Sequence, residues 1–160
     1  MFGLLQRLLD AFVRLAMDLA TALMGGILRA PVTAVEQVRE ARPQELSGQA
    51  LVPRVDLDAR HWVAERSGRV VGVVSLRHGE PPGPGMPEHE LFGMAVSPEW
   101  RGKGIGDALL DALPAALGVW SDVDQRALAL FERHDFEVVP GPSTPGHRRM
   151  RRSASQPRRT

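Results

Sequence analysis

Apolar positions recur along the chain with more than one period, and each period predicts a different kind of element. Over residues 3–28, GLLQRLLDAFVRLAMDLATALMGGIL, the polar residues Arg7, Asp10, Arg14, Asp18 and Thr21 return at steps of three and four, among otherwise apolar positions. That spacing draws one polar stripe along a long helix, with charges of opposite sign following one another. Gly25, Gly26 and Pro31 mark its end. A weaker helical pattern over 33–42, TAVEQVREAR, predicts a second helix. Pro43 to Asp58 reads as irregular, with at most a short strand over 51–55.

Alternation then takes over. In HWVAERSGRVVGVVSLRH (61–78), two β-rich runs flank Ser67-Gly68, which predicts a hairpin. GEPPGPGMPE (79–88) is too rich in Pro and Gly for regular structure and reads as a surface loop. HELFGMAV (89–96) is a third strand, on which alternation puts residues 90, 92, 94 and 96 on one face. A helix is predicted over 103–113, burying Ile105, Ala108, Leu109, Ala112 and Leu113, with Pro114 kinking or ending it. GVWSDV (118–123) reads as a short strand. Asp124 is placed to cap the next helix, QRALALFERH. FEVVP (136–140) reads as another strand and HRRMR (147–151) as an edge strand. The order predicts an α/β (α+β) fold: a mixed central sheet with helices on its faces. The expected division is an N-terminal amphipathic helix (1–30), one domain (31–152) and a basic disordered tail (153–160).

Composition narrows this picture. At 160 residues the chain holds one domain with a core of useful size. It has no cysteine, which removes disulfides, thiolate metal sites and a cysteine nucleophile, and fits a reducing cytoplasm. Four charges in the first eighteen residues argue against a transmembrane span. Arg14 and Asp18 break the apolar centre that a signal peptide needs. Helix 3–28 is therefore expected to pack on the domain, or to join a second copy or a partner protein. The net charge of +1 hides an asymmetry: residues 147–160 carry six arginines and no acid, which leaves −5 for residues 1–146. A frayed, solvated terminus accounts for the arginines without a specific nucleic-acid partner.

The chemistry concentrates in AVSPEWRGKGIG (95–106), a glycine-rich, cationic turn between a strand and a helix. A helix start leaves backbone N–H groups unpaired, and glycines let those amides close on a ligand without interference from Cβ. With Arg101 and Lys103 this makes an anion site suited to phosphate or pyrophosphate. Lys103 is followed by Gly104 rather than Ser or Thr, so the turn is not a P-loop. Its G-x-G-x-G spacing after a hairpin does not match a dinucleotide fingerprint.

VSPEWRGKGIGDALL resembles the acetyl-CoA motif of the GNAT superfamily of N-acetyltransferases, Arg/Gln-x-x-Gly-x-Gly/Ala, with Arg101, Gly104 and Gly106 in those positions. WVAERSGRVVGVVSLR is similar to the family's second and third strands. DQRALALFERHDFEVV is similar to its N-x-R-A-x-x-L-Y-E-x-x-G-F segment. The resemblance covers about residues 61–152. It implies a GNAT-like, mostly antiparallel sheet and acetyl-CoA as cosubstrate, with no metal. Amides of Arg101, Gly102, Lys103, Gly104, Ile105 and Gly106 would hold the pyrophosphate. The backbone of Met94, Ala95 and Val96 would hold the pantetheine arm, in a V-shaped slot where this strand splays from the next. An amine would then attack the thioester directly.

Such a transfer needs a base, and Glu90 is the candidate, six residues before Val96; some histone acetyltransferases of the superfamily carry a glutamate at that offset. Glu88 and His89 lie nearer the loop. Polarisation of the thioester oxygen falls to the backbone N–H near Met94–Val96. The family's usual tyrosine acid falls at Phe131, which has no proton to give; Ser121, the substrate ammonium or a water are the substitutes. Asp135 stands where the family usually has glycine. The link from the turn to the last helix is short, and the family's first strand is not visible. His61, His78, His134 and His147 show no ligand spacing and are expected at the surface or an edge. Trp62, Trp100 and Trp120 are expected to pack. The expected activity is acetyl-CoA-dependent N-acetylation of a primary amine: a small amine, an antibiotic amine, a protein N-terminus or a lysine. The alternative is a weak or inactive module that binds acyl-CoA or a protein partner. Residues 30–58 and 79–88 are expected to choose the acceptor.

Overall fold

A two-residue turn sets the centre of the sheet. In a computed structural model, which describes residues 36–52 and 54–155, Ser67 and Gly68 both take positive φ, 49° and 70°. That turn has the twist that joins antiparallel strands tightly. It connects β2 (Arg60–Arg66) to β3 (Arg69–His78), as the alternation predicts. On one side, β1 (Gln37–Ala41) lies antiparallel to β2. On the other, β4 (His89–Val96) lies antiparallel to β3. The sheet continues through β5 (Val119–Asp124), β6 (Glu137–Val138) and β7 (His147–Arg152) in the order β1-β2-β3-β4-β5-β7-β6. Among the described strands only the β4–β5 pair is parallel. The mixed, mostly antiparallel sheet expected from the sequence is present.

Three expectations are corrected. The helix predicted over 33–42 is instead strand β1 where it is described, with Gln37 opposite Glu65 and Ala41 opposite His61. Weak helical periodicity loses to the open edge of β2, whose unpaired backbone groups gain partners. β1 thus supplies the first strand that the sequence did not show. HRRMR is not an edge: β7 sits between β5 and β6. Met150 is fully buried there, while Arg149 and Arg151 pair with Asp122 and Glu137. Four of the C-terminal arginines therefore belong to the sheet. Third, His61 is buried, because β2 is covered on both sides. Its Nε2–H donates to the Asp56 carbonyl at 2.9 Å, since a carbonyl can only accept, and Nδ1 lies 2.8 Å from Ser75 Oγ. Helix 3–28 and tail residues 156–160 lie outside the described residues.

Two short helices cover one face. α1 (Ile105–Asp111) ends a turn before Pro114 and buries Leu110 with Ile105 and Leu109, beyond the face predicted for it. A 3-10 turn over Gln125–Ala127 leads into α2 (Leu128–Glu132), and Asp124 caps it by accepting from the Arg126 amide at 2.8 Å. Asp135 follows with φ of 63°, the left-handed conformation that glycine usually fills at this point. These helices close the main core over Trp62, Val74, Leu91, Val119, Phe131 and Met150. A smaller apolar cluster lies on the opposite face, where Leu46, Leu51, Val52 and Val55 cover Val63 and Val73.

One irregularity in β4 decides the site. Ser75 lies opposite Gly93 but Leu76 lies opposite Leu91, so Phe92 is an extra residue, a β-bulge. Alternation breaks there. Residues opposite one another share a face, so Glu90 shares its face with Arg77, Ser75, Gly93 and Ala95. Met94 and Val96 share theirs with Val74 and Gly72, the helix side. The single face expected for residues 90, 92, 94 and 96 is therefore corrected.

Candidate active site

β4 and β5 pair only at His89–Val119 and Glu90–Trp120. Beyond that point they diverge. Ser121 Oγ donates to the Leu91 carbonyl at 2.7 Å at the vertex, while Ser121 itself is buried. Above it opens a slot of about 660 Å³, with β4 from Glu90 to Val96 on one wall. Asp122, Asp124, Leu130, Phe131, Thr144 and His147 form much of the other wall. A strand that lacks its neighbour presents backbone N–H and C=O groups to whatever fills the gap. An extended arm bearing amides is the ligand that such an edge accepts.

The glycine turn follows β4 at one end of the slot, where Arg101 joins the lining. Gly102 and Gly104 take φ of 71° and 77°, and a Cβ on either would meet nothing within 4 Å. Glycine is required there by backbone conformation rather than by crowding. Gly104 is the N-cap of α1, and the first helical hydrogen bond is Ala108 N–H to the Gly104 carbonyl, 3.0 Å. The amides of Ile105, Gly106 and Asp107 therefore have no partner within the helix. Gly106 has a different reason: a Cβ would come within 3.0 Å of Leu130 and 3.1 Å of Met94. Arg101 lies at the lip, its Nε–H donating to the Val96 carbonyl at 3.1 Å, which ties the turn to the end of β4. Lys103 Nζ stands 4.5 Å from the centroid of Trp100. Nine predicted cofactor residues thus lie together along one strand edge and the turn that follows it.

Asp107, in the first turn of α1, would oppose an anion at this end. It is turned the other way: His134 Nε2 and Arg133 Nη2 both lie 3.0 Å from its Oδ1. Burial pushes its pKa up, but these hydrogen bonds outweigh that and hold it below the usual value. His134 Nδ1 lies 3.0 Å from Asp111 Oδ1, so the ring bridges two carboxylates one helical turn apart.

Glu90 stands at the vertex, about three-quarters buried, with Arg77 Nε and Nη2 each 2.6 Å from its Oε2. The ion pair fixes where the carboxylate sits. Arg77 was not singled out in the sequence, although a hairpin register counted across loop 79–88 could have found it. The alternatives sit elsewhere: Glu88 pairs with His78 at 3.1 Å and His89 meets the His78 ring edge-on. Also missed was the ladder on this face, Asp122–Arg149 at 2.8 Å, with the Arg149 guanidinium 5.2 Å from the Trp120 ring. The repeated acid in SDVD opposite alternate arginines in HRRMRR was the available signal. Phe131 is buried edge-on to Phe136, 5.1 Å between centroids, and offers the slot no proton. Among the described residues no group of three or more side chains could hold a metal, and no helix is long and apolar enough to cross a membrane.

The family model for an acetyltransferase (GNAT) domain matches residues 57–138, half of the chain, and spans the bulged strand, the turn and all of the slot lining but Thr144 and His147. The chain belongs to the GNAT acetyltransferases. A mycothiol acetyltransferase of Corynebacterium aurimucosum is 34% identical over 97 residues, covering 59% of this chain and 28% of that protein. Mouse N-acetyltransferase 8 is 46% identical over 48 residues, covering 30% of this chain and 21% of its own length. The chain thus spans about a quarter of the length of these curated relatives. Among solved structures, a histone acetyltransferase HPA2-related acetyltransferase of Corynebacterium glutamicum superposes with a TM-score of 0.51 at 20% identity, covering 82% of this chain and 86% of that one. The YlbP N-acetyltransferase of Bacillus subtilis, solved with coenzyme A, gives 0.50 at 16% identity over 68% and 75%. At these identities the two structures support the GNAT fold.

Proposed function

We propose that this chain is an acetyl-CoA-dependent N-acetyltransferase that acetylates a primary amine by direct attack on the thioester. The observation that carries this reading is the slot: an unpaired strand edge leading from the vertex at Glu90 to a turn whose glycines and free amides suit a pyrophosphate. The pantetheine arm offers amides to the edge of β4, and its pyrophosphate has the charge that the turn favours. On this reading the thioester lies near the vertex.

Glu90 then accepts the proton released as the amine nitrogen bonds to the acetyl carbon. Backbone N–H groups near the bulge polarise the carbonyl. The C–S bond breaks and the sulfur leaves as a thiolate. Ser121 is a poor source of the proton it takes up, because that hydroxyl already donates to Leu91. A water or the acceptor's own ammonium remains for this step. Phe131 favours a second reading, a module that binds acyl-CoA with little turnover.

Calorimetric titration with acetyl-CoA, followed by thiol release over a panel of amines, separates the two. Saturable binding with amine-dependent thiol release supports the enzyme. Binding without release for any amine supports the module. No binding at millimolar acetyl-CoA sinks both. Glu90→Gln should lower the transfer rate on an active amine and leave acetyl-CoA affinity unchanged; an unchanged rate removes Glu90 from the chemistry.

A further inference from the structure

Among the described residues, three carboxylates line the slot: Glu90, Asp122 and Asp124. Alternation along β5 puts Asp122 and Asp124 on the face of Trp120, the residue opposite Glu90. The acids therefore stand together on the side of the proposed base. Left bare, they would gather polycations, because a cleft lined by one sign of charge concentrates ligands of the other. Each has its own guanidinium instead. Arg77 turns Nε and Nη2 to Glu90 Oε2, both at 2.6 Å. Arg149 meets the two oxygens of Asp122 at 2.9 and 2.8 Å. Arg126 meets those of Asp124 at 3.1 and 3.0 Å. In every pair two N–H groups of one guanidinium face the carboxylate, so its charge is cancelled on the spot. Arg101 belongs to the other end of the slot, where it is tied to the Val96 carbonyl. His147 donates from Nδ1 to the Pro145 carbonyl at 3.3 Å, which a neutral ring can do.

Resting on the enzyme reading above, we infer that the acceptor is an amine whose remainder carries no charge. A second ammonium would enter a lining whose carboxylates are already satisfied. A carboxylate would meet guanidiniums that already turn a two-donor edge to an acid. Either group would give up water without a partner to offset the loss. Polyamines, lysine-rich segments and free amino acids are therefore disfavoured, and a monoamine with a neutral body is preferred. The selection comes from pairing across strands and turns, which the count of acids along the lining does not report.

The test compares acceptors of one shape and different charge by kcat/KM for thiol release from acetyl-CoA. Propylamine, 1,3-diaminopropane and β-alanine form the smallest such series, and any larger amine active in the panel is matched in the same way. The neutral member should exceed both charged members at least about tenfold, the scale of one unmet charged group. Its kcat/KM should hardly change between about 0.02 M and about 0.5 M salt, since no net field steers it. Removing a partner should create the missing attraction. Arg126 is 91% exposed, so Arg126→Gln leaves the fold intact while baring Asp124. It should raise kcat/KM for the diamine about two- to fivefold at low salt, lose that gain at high salt and leave propylamine unchanged. Arg149→Gln bares Asp122 and should act in the same direction, with thermal unfolding as the check on its fold. A wild type that prefers the diamine or β-alanine overturns the inference and leaves the enzyme reading standing. So does a diamine rate that neither variant raises. Transfer to no amine at all refutes the enzyme reading, and this inference with it.

Discussion

Gly72 couples the packing of the sheet to the glycine turn, and a single methyl group tests that coupling. It lies on β3 beneath the first turn of α1. A Cβ there would stand 2.8 Å from Ile105 Cγ2 and 3.1 Å from Leu109 Cδ1. Ordinary carbon–carbon contact is about 3.5–4.0 Å, so about 0.7–1.2 Å of movement is required. The Leu109 methyl ends a flexible chain and can turn away. Ile105 Cγ2 cannot, because a β-branched side chain in a helix is held in essentially one χ1 rotamer, and Ile105 is almost completely buried. The helix start must therefore lift. Overpacking of this size costs about 1–3 kcal/mol. The smaller conformational freedom of unfolded Ala offsets about 0.4–1 kcal/mol. The net expectation for Gly72→Ala is a loss of about 1–2 kcal/mol, or about 4–8 °C in Tm for a domain of this size.

Lifting Ile105 also moves Gly104 and the turn amides, so acetyl-CoA affinity should fall several-fold. The assay is urea unfolding with calorimetric titration. Ile105→Leu, which moves the branch from Cβ to Cγ and removes Cγ2, supplies the second arm. In a double-mutant cycle the two substitutions should compensate one another by about 1 kcal/mol or more. Gly72→Ala with wild-type stability and affinity, or a strictly additive cycle, refutes the reasoning.

Further outcomes follow from other parts of the structure. Gly104→Ala forces a left-handed backbone on alanine and should cost about 1–2 kcal/mol, visible in urea midpoints, while weakening acetyl-CoA. Phe131→Tyr should raise kcat if proton donation to the thiolate limits the rate, by up to about 10²-fold; no gain in kcat on an active amine shows that the step was not limiting. Asp124 has its pKa lowered from 3.8 to about 2, first by the Arg126 side-chain hydrogen bond and then by the Arg126 amide. A depressed carboxylate stabilises the fold above its unfolded value and loses that contribution as pH falls through the folded one. The stability gap between wild type and Asp124→Asn should therefore be full at pH 7, shrink below about pH 4 and be nearly gone at pH 2; a gap independent of pH would contradict this.

The parts that the sequence revealed are those set locally. The hairpin follows from Ser67-Gly68, whose positive φ values can be anticipated from residue type alone. The glycine turn is legible for the same reason, and so is the strained position of Asp135. What was misread depends on a partner far along the chain. Gln37–Ala41 becomes a strand because β2 has an open edge, which nothing within TAVEQVREAR reports. HRRMRR becomes an inner strand because its arginines find Asp122 and Glu137, and because Met150 has a core to enter. The bulge at Phe92 is least visible, since a one-residue offset between strands leaves only Gly93 as a local hint.

That offset gives the candidate site its two sides. If β4 alternated without interruption, Glu90 would point the same way as Met94 and Val96, into the face that α1 and α2 cover. A carboxylate there would lie in an apolar core and demand a buried partner. With Phe92 inserted, Glu90 turns to the opposite face, among Arg77, Trp120, Asp122 and Arg149, while the strand edge beyond it still borders the helix-covered side. A cofactor held by that edge and the turn would then enter from the helix side. An acceptor would reach the thioester from the charged side, where the proposed base stands. The slot between the diverging strands is lined from both environments, by Glu90 and Asp122 on one side and Met94, Leu130 and Phe131 on the other. Deleting Phe92 should therefore do more than remove a side chain. It should return β4 to register, reverse the facing of Glu90 or of Met94 and Val96, and abolish transfer. Retention of acetyl-CoA binding together with full transfer in that deletion would refute the argument.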